Sequence, residues 1–244
     1  MNPVKTLATT QRVLKQLRHD PRTIALIVMI PILLITLLKY VFQGNERMFN
    51  GIAPVLLGIF PLTIMFLVTS IATLRERTSG TLDRLMTQPI SKLDFVFGYA
   101  IAFSLVGLVQ ACLASFVVLG ILGVTVQGGT LPILITAVFA AFLGTTLGLF
   151  VSAFARNEFQ AVQLVMPIIM PQVVLSVLFI PRDQMARGLE MVSNVLPMTY
   201  SVDAMKQVAT STTLTNDWIR DLIVVAVVGI VVLLLGAATI KRQE

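Results

Sequence analysis

Leu74–Asp94 reads LRERTSGTLDRLMTQPISKLD, with four basic and three acidic residues between long runs that carry almost no charge. A charged side chain costs about 2.5–3.5 kcal/mol at the centre of a membrane helix on insertion scales. The stretch 75–94 is therefore expected to emerge into water as a compact loop, and its pattern predicts a short helix within it. Ser79 or Thr81 can cap the start. Leu82, Leu85 and Met86 then share one face at i, i+3, i+4, and Pro89 drives Gln88 out of helical geometry and ends the element. A short amphipathic helix on the aqueous side of a membrane protein is a docking element. Leu82, Leu85 and Met86 would fill a partner's groove, while Arg77, Asp83 and Arg84 form pairs at its rim. Gly80 supplies a tight turn, and Glu76 either joins the rim or pairs locally with Arg75 or Arg77. The plainer alternative is a polar loop that only obeys the charge bias of membrane topology.

Working outward, the 244 residues are 56% hydrophobic and 12% charged, with a mean hydropathy of +0.90. That is the composition of a polytopic membrane protein and not of two soluble domains. A net charge of +6 would hint at nucleic acid in a soluble chain, but here the basic residues sit between apolar runs and report topology, so no nucleic-acid partner is expected. Cys112 is the single cysteine, which excludes an intrachain disulfide, and one Cys with one His far apart gives no metal site. His19 reads as a surface residue. The first apolar run starts near Thr23 after a polar leader and reads as a spanning helix, so no cleavable signal peptide is expected.

The fold expected is all-α with six transmembrane spans, near 23–42, 51–74, 95–123, 131–154, 160–180 and 218–240, each long enough for a core that needs about 20 apolar residues. Residues 1–22 form a separate basic amphipathic helix, with Val4, Leu7, Leu14 and Leu17 at near-heptad spacing. It suits either an anionic leaflet or packing on its own protein. Pro31, Pro54, Pro61, Pro167 and Pro171 fall inside spans, where neighbouring helices can re-satisfy the backbone. The Pro167 and Pro171 pair should kink span five. Gly144 and Gly148 make a small-xxx-small pair that signals close helix contact.

Twelve of the 18 Lys and Arg residues fall on one side if both termini are cytoplasmic: five in the leader, four in 75–94, then Arg156, Lys241 and Arg242. The positive-inside bias thus places 75–94 in the cytosol. The outer connection 181–217 is too apolar for a free loop, yet its apolar residues are too few to span. Pro197 divides it, so it reads as two half-helices dipping into the outer leaflet under cover of protein. Tyr40 and Trp218 are expected as interfacial anchors.

No GxxxxGK[ST] phosphate loop and no Ser-His-Asp set occurs, so the chain itself is expected to be neither an ATPase nor a hydrolase. None of the twelve acids lies at mid-span, where ion-coupled carriers keep an ionisable group. Energy for uphill transport would then enter from outside the bilayer, through the amphipathic cytosolic helix. A secondary transporter or channel, or an immunity protein that sequesters a peptide, is the rival reading.

Three stretches together resemble the ABC-2 type transporter permeases, a family that includes daunorubicin-type drug exporters and polysaccharide exporters. The first is Leu17-Arg18-His19-Asp20-Pro21 followed by Pro31-Ile32-Leu33-Leu34, with His19 inserted in the usual Arg-Asp-Pro. The second is Glu76 with Gly80-Thr81-Leu82-Asp83-Arg84-Leu85, then Pro89-Ile90-Ser91 and Gly98. The third runs from Arg156-Asn157-Glu158, Gln160-Ala161, Pro171, Leu175-Ser176 and Phe179 to Pro197-Met198-Thr199-Tyr200 and Asp203-Ala204-Met205-Lys206. Tyr99 stands where a lysine is common, and Lys206 where an arginine is.

The resemblance implies a permease subunit in the cell membrane of a prokaryote. It would pair with a second copy or a similar chain and dock two copies of a separate ATP-binding subunit through a coupling helix at about 75–92. ATP and Mg would bind that partner and no cofactor this chain. It also implies a substrate route along the first, second and fifth spans, for amphipathic drugs, antibiotics or lipids, with polysaccharide as the alternative cargo. Met29, Ile35, Met65, Gln163, Met166, Met170 and Gln172 are the candidate route residues; methionines re-pack around varied apolar cargo, and ordinary helix packing is the competing role. Tyr200, Asp203 and Lys206 are candidates for an outer gate or clamp.

Overall fold

A computed structural model of the chain describes residues 2–81, 91–176 and 182–239, the side chain of Asp183 apart. The regular structure among these residues is all helical. Helix α1 (Pro3–Arg18) starts where Asn2 accepts from the Val4 N–H at 3.0 Å and Pro3 occupies the first turn. It ends at His19, and the chain turns into α2 (Pro21–Val41). Asp20 caps α2, accepting from Thr23 N at 3.2 Å and Thr23 Oγ1 at 2.6 Å. These bonds, the hydroxyl's foremost, hold the Asp20 carboxyl below its usual pKa.

Helix α3 (Glu46–Thr78) has 33 residues. At 1.5 Å per residue it is about 50 Å long, well beyond a hydrocarbon core of about 30 Å. It overruns the predicted span 51–74 at both ends, and Arg75–Thr78 are its last turn instead of the start of a loop. Nothing breaks the helix there until Gly80, whose φ of 71° is the left-handed conformation glycine tolerates. Ser79 accordingly caps the C-terminus of α3 and does not start a new helix.

Helix α4 (Lys92–Ser115) opens with a reciprocal capping box between Ser91 and Asp94 and runs on into a π-helical turn, Phe116–Ile121. Lys39 from the end of α2 donates to the Leu122 carbonyl that follows this turn. Helix α5 (Thr130–Ser152) returns. The fifth span is two pieces, α6 (Glu158–Gln163) and α7 (Val165–Leu175), broken at Leu164. Pro167 has no N–H for the Gln163 carbonyl, so the break falls one turn before the proline, as its chemistry requires. A 3₁₀ turn, Arg182–Gln184, leads to α8 (Arg187–Val195) and α9 (Pro197–Thr210), which divide at Pro197 as expected; α10 (Asn216–Thr239) closes the chain.

Six of these segments are long and apolar enough to cross a membrane. The second and fourth are the most enclosed, with 67% and 61% of their apolar windows buried, against 17% for the first and fifth. The central contact is α3 on α5. A Cβ placed on Gly144 would lie 2.0 Å from the Leu62 carbonyl oxygen, and one on Gly148 would lie 2.4 Å from that of Phe66. The backbones touch, which is what a small-xxx-small stripe allows.

The leader packs on α4 through a threonine face, and only the second half of its apolar stripe joins the core. Val4 and Leu7 are exposed, while Thr6, Thr9, Thr10 and Val13 are buried. The reason is Gly98. A Cβ there would meet Thr9 Cβ at 2.6 Å, and Thr10 Oγ1 donates to the Gly98 carbonyl at 3.1 Å, so small hydroxylated residues fit where leucine would not. Leu14 and Leu17 lie further along and are partly buried on the core. Trp218 is also drawn inward. It packs on the core and donates to Thr136 Oγ1 at 3.1 Å, whereas Tyr40 is exposed at the end of α2.

Candidate functional site

One set of charged groups collects at the basic end of the bundle, where α1, the last turn of α3, the start of α4 and the 153–158 connection meet. Glu76 is 4% exposed, so it is not a rim residue, and it pairs with neither neighbouring arginine. Its partner is Arg12 of α1, whose Nη1 lies 3.2 Å from Oε1, while Arg12 Nη2 donates to the Tyr99 hydroxyl at 2.6 Å. One guanidinium thus ties α1, α3 and α4 together, a fork geometry lysine lacks. Tyr99 is buried between Phe95 and Phe103. A lysine in its place would set a second cation beside Arg12.

A second buried carboxylate sits at the other end of the polar stretch. Asp94, 2% exposed, accepts from Asn2 N at 2.7 Å and Thr6 Oγ1 at 3.3 Å, and from Ser91 N at 3.1 Å. The capping box is legible as Ser91-Lys92-Leu93-Asp94. Its bonds to Asn2 and Thr6 are not, since nothing local announces a partner 88 or 92 residues away. The segment between Glu76 and Asp94 is therefore held at both ends by the same leader helix. Arg75 pairs with Glu158 through two bonds of 2.7 and 3.0 Å, and Arg77 donates to the Ser152 carbonyl in place of the expected rim pair. Thr81 shares a hydrogen bond of 3.0 Å with Ser79. Leu82, Asp83, Arg84, Leu85, Met86 and Pro89 lie outside the described residues.

The candidate route residues divide. Met29, Gln163, Met166 and Met170 are exposed on the two least buried spans. Ile35 and Met65 have no exposed surface and belong to the protein's own core. Gln172 is occupied as well: its amide donates to the Ile168 carbonyl at 2.8 Å, and its Oε1 accepts from Met198 N at 3.3 Å, which fixes the start of α9.

At the opposite end, Asp203 pairs with Arg182 of the 3₁₀ turn. Arg182 also donates to Asn194 Oδ1 at 3.0 Å and lies over the Tyr200 ring at 5.4 Å. Tyr200 in turn donates to the Asn194 carbonyl at 2.6 Å. Tyr200 and Asp203 are thus joined through an arginine that no motif in the sequence singles out. Lys206 is half-buried one turn on. A second set links α9 to α10, with Gln207 donating to Asp221 at 3.0 Å and Arg220 paired with Asp217 and Asp221.

Six apolar helices, one long polar stretch and a leader helix that grips both ends of it define a multi-pass membrane protein. Residues 4–209 match the ABC-2 type transporter family, and the chain belongs to it. Among its relatives, the inner membrane transport permease YhhJ of Escherichia coli is 28% identical over 155 residues, 63% of this chain and 41% of its own length. The probable multidrug ABC transporter permease YbhS of the same organism is 26% identical over 171 residues, 69% and 45%. ABC transporter G family member 20 of Dictyostelium discoideum is 26% identical over 164 residues, 67% and 22%. The chain thus matches less than half the length of each of these proteins. Permeases of this family generally work with ATP-binding subunits.

Proposed function

We propose that this chain is the membrane-spanning subunit of an ATP-driven exporter in a prokaryotic cell membrane. Both termini and the 75–92 segment lie in the cytosol, in keeping with the charge bias. A separate ATP-binding subunit, carrying ATP and Mg, docks on that segment, with two copies serving a pair of permease chains. The observation that carries this reading is the treatment of the polar stretch. Its flanking carboxylates, Glu76 and Asp94, are buried and bound by α1, so a push on the segment reaches α3 and α4 as a rigid unit. The exposed first and fifth spans suit a partner chain, with Met29, Gln163, Met166 and Met170 facing the route. Amphipathic drugs, antibiotics or lipids fit such a route better than sugars, because three Tyr and one Trp offer little stacking surface. The Arg182–Asp203–Tyr200 set, with Lys206 nearby, clamps the outer helices across the exit.

Replacing Leu85 with Asp should remove the apolar centre of the docking face, and the ATP-binding subunit should then wash off the purified complex. A complex that survives intact rules out the docking role. Orientation is read separately. In a Cys112→Ala background, Asp83→Cys should react with a membrane-impermeant maleimide only from the cytosolic side, and Thr212→Cys only from outside. The reverse pattern inverts the topology.

A further inference from the structure

Between α1, α2, α3 and α4 lies a cavity of about 290 Å³ whose walls are apolar and whose mouth is charged. Leu26, Ile30, Ile64, Leu67, Val68 and Phe103 are among the wall residues, and Gln16, Asp20, Thr23, Arg75 and Glu76 form the mouth at the basic end. A second hollow of about 380 Å³ shares Gln16, Arg75 and Glu76 and continues to Thr81, so the mouth opens toward the polar stretch. Along α3 the wall from Ile64 to Arg75 covers about 16 Å, room for a single alkyl chain laid parallel to the helices. The interactions described above engage the mouth of this space and leave its apolar length, from Leu26 and Ile30 to Ile64 and Val68, without an assigned role.

The charges at the mouth decide the kind of chain. Arg75 is engaged by Glu158 and Glu76 by Arg12. The Asp20 carboxylate accepts from Thr23 and from the Arg22 N–H, is attracted by Arg75 at longer range, and forms no contact ion pair among the described residues. The mouth and the residues paired to it thus hold three carboxylates against two guanidiniums. The basic residues Lys15, Arg18 and Arg22 do not line the cavity. An anionic headgroup would meet Asp20 with both guanidiniums already bound, whereas a cationic one supplies the missing charge.

We infer that this cavity binds a single-chain cationic amphiphile taken from the leaflet at the basic end, its alkyl chain between α2 and α3 and its head beside Asp20. On the permease reading above, which this inference deepens, it is a loading site for cargo inside one chain. Binding itself needs no ATP-binding partner.

The test uses the full chain in phosphatidylcholine nanodiscs without any ATPase, photolabelled with a diazirine-bearing alkyltrimethylammonium. Labels should map to residues 26–30 and 64–72. Dodecyltrimethylammonium should compete about tenfold better than dodecyl glucoside or dodecyl sulfate, a difference of about 1.4 kcal/mol. Asp20→Asn keeps the helix cap and should abolish that preference, while Val68→Phe should fill the cavity and lower labelling by all probes. Labels spread over other lipid-facing helices, equal competition by dodecyl sulfate, or a preference that survives Asp20→Asn would each overturn the site. If Val68→Phe does not fold, Asp20→Asn decides. Loss of the ATP-binding subunit from the Leu85→Asp complex bears on the permease reading alone, so the two can fail separately.

Discussion

Gly144→Val should strip the bundle of its central contact. Even the first atom of the new side chain would sit 2.0 Å from the Leu62 carbonyl oxygen and 2.7 Å from its carbonyl carbon. That obstacle is backbone, which no rotamer change can move, so α3 and α5 must separate along a stretch that also includes Gly148 and Phe66. Overpacking of a well-filled core costs about 1–3 kcal/mol and occasionally more. Here the upper end or beyond is expected, with Gly144→Ala already destabilising. Gly51→Ala is the control: it lies in α3 with nothing within 4 Å of the added atom, so it should be neutral or stabilising by about 0.5–1 kcal/mol. Reversible unfolding in mixed micelles measures all three. A Gly144→Val protein as stable as the parent would show that the α3–α5 contact is not this close.

Glu76→Ala is expected to have the next largest effect. It leaves the Arg12 guanidinium without its carboxylate in a site where Tyr99 is buried, and breaking a buried pair costs about 3–5 kcal/mol. Arg12 keeps about a third of its side-chain surface (32%) in contact with solvent, which points to the lower figure. The double variant Arg12→Leu with Glu76→Leu should recover much of the loss, because apolar packing often replaces a buried ion pair at little cost. Stability and function should then part company. The double variant folds but no longer ties α1 to the end of α3, so transport should fall while the complex stays assembled. Arg12→Lys should behave as a weak version, able to reach Glu76 or Tyr99 but not both. A double variant that transports normally would show that the tie is structural only.

Several elements are legible in the order of residues alone. Charge separates Leu74–Asp94 from the spans, because ionised groups are excluded from hydrocarbon. The box at Ser91–Asp94, the left-handed turn at Gly80 and the division at Pro197 each follow from the local chemistry of one or two residues, whereas the corner at Asp20-Pro21 falls inside the stretch 1–22 that reads as one helix. The Gly144–Gly148 contact is readable for the same reason, since two missing side chains on one face mark a place where another backbone can sit. The ends of α3 depart from the predicted span because a helix long enough to leave the membrane need not stop when its residues turn polar.

What stays hidden is which side of each span faces protein. In water a helix shows its buried face by an apolar stripe, but lipid is as apolar as a protein core, so an inward and an outward methionine look alike in sequence. Met29 and Met65 carry the same side chain; one is exposed and the other has no accessible surface. The ion pairs are equally silent. Arg12 and Glu76 are 64 positions apart, Arg182 and Asp203 are 21 apart, and their pairing is a matter of how the helices stack. Hydrocarbon exclusion and local backbone chemistry thus mark the six spans and several turns from composition and order alone, while the ends of α3, the partner of each buried charge and the inward face of each span wait on the packing of one helix against another.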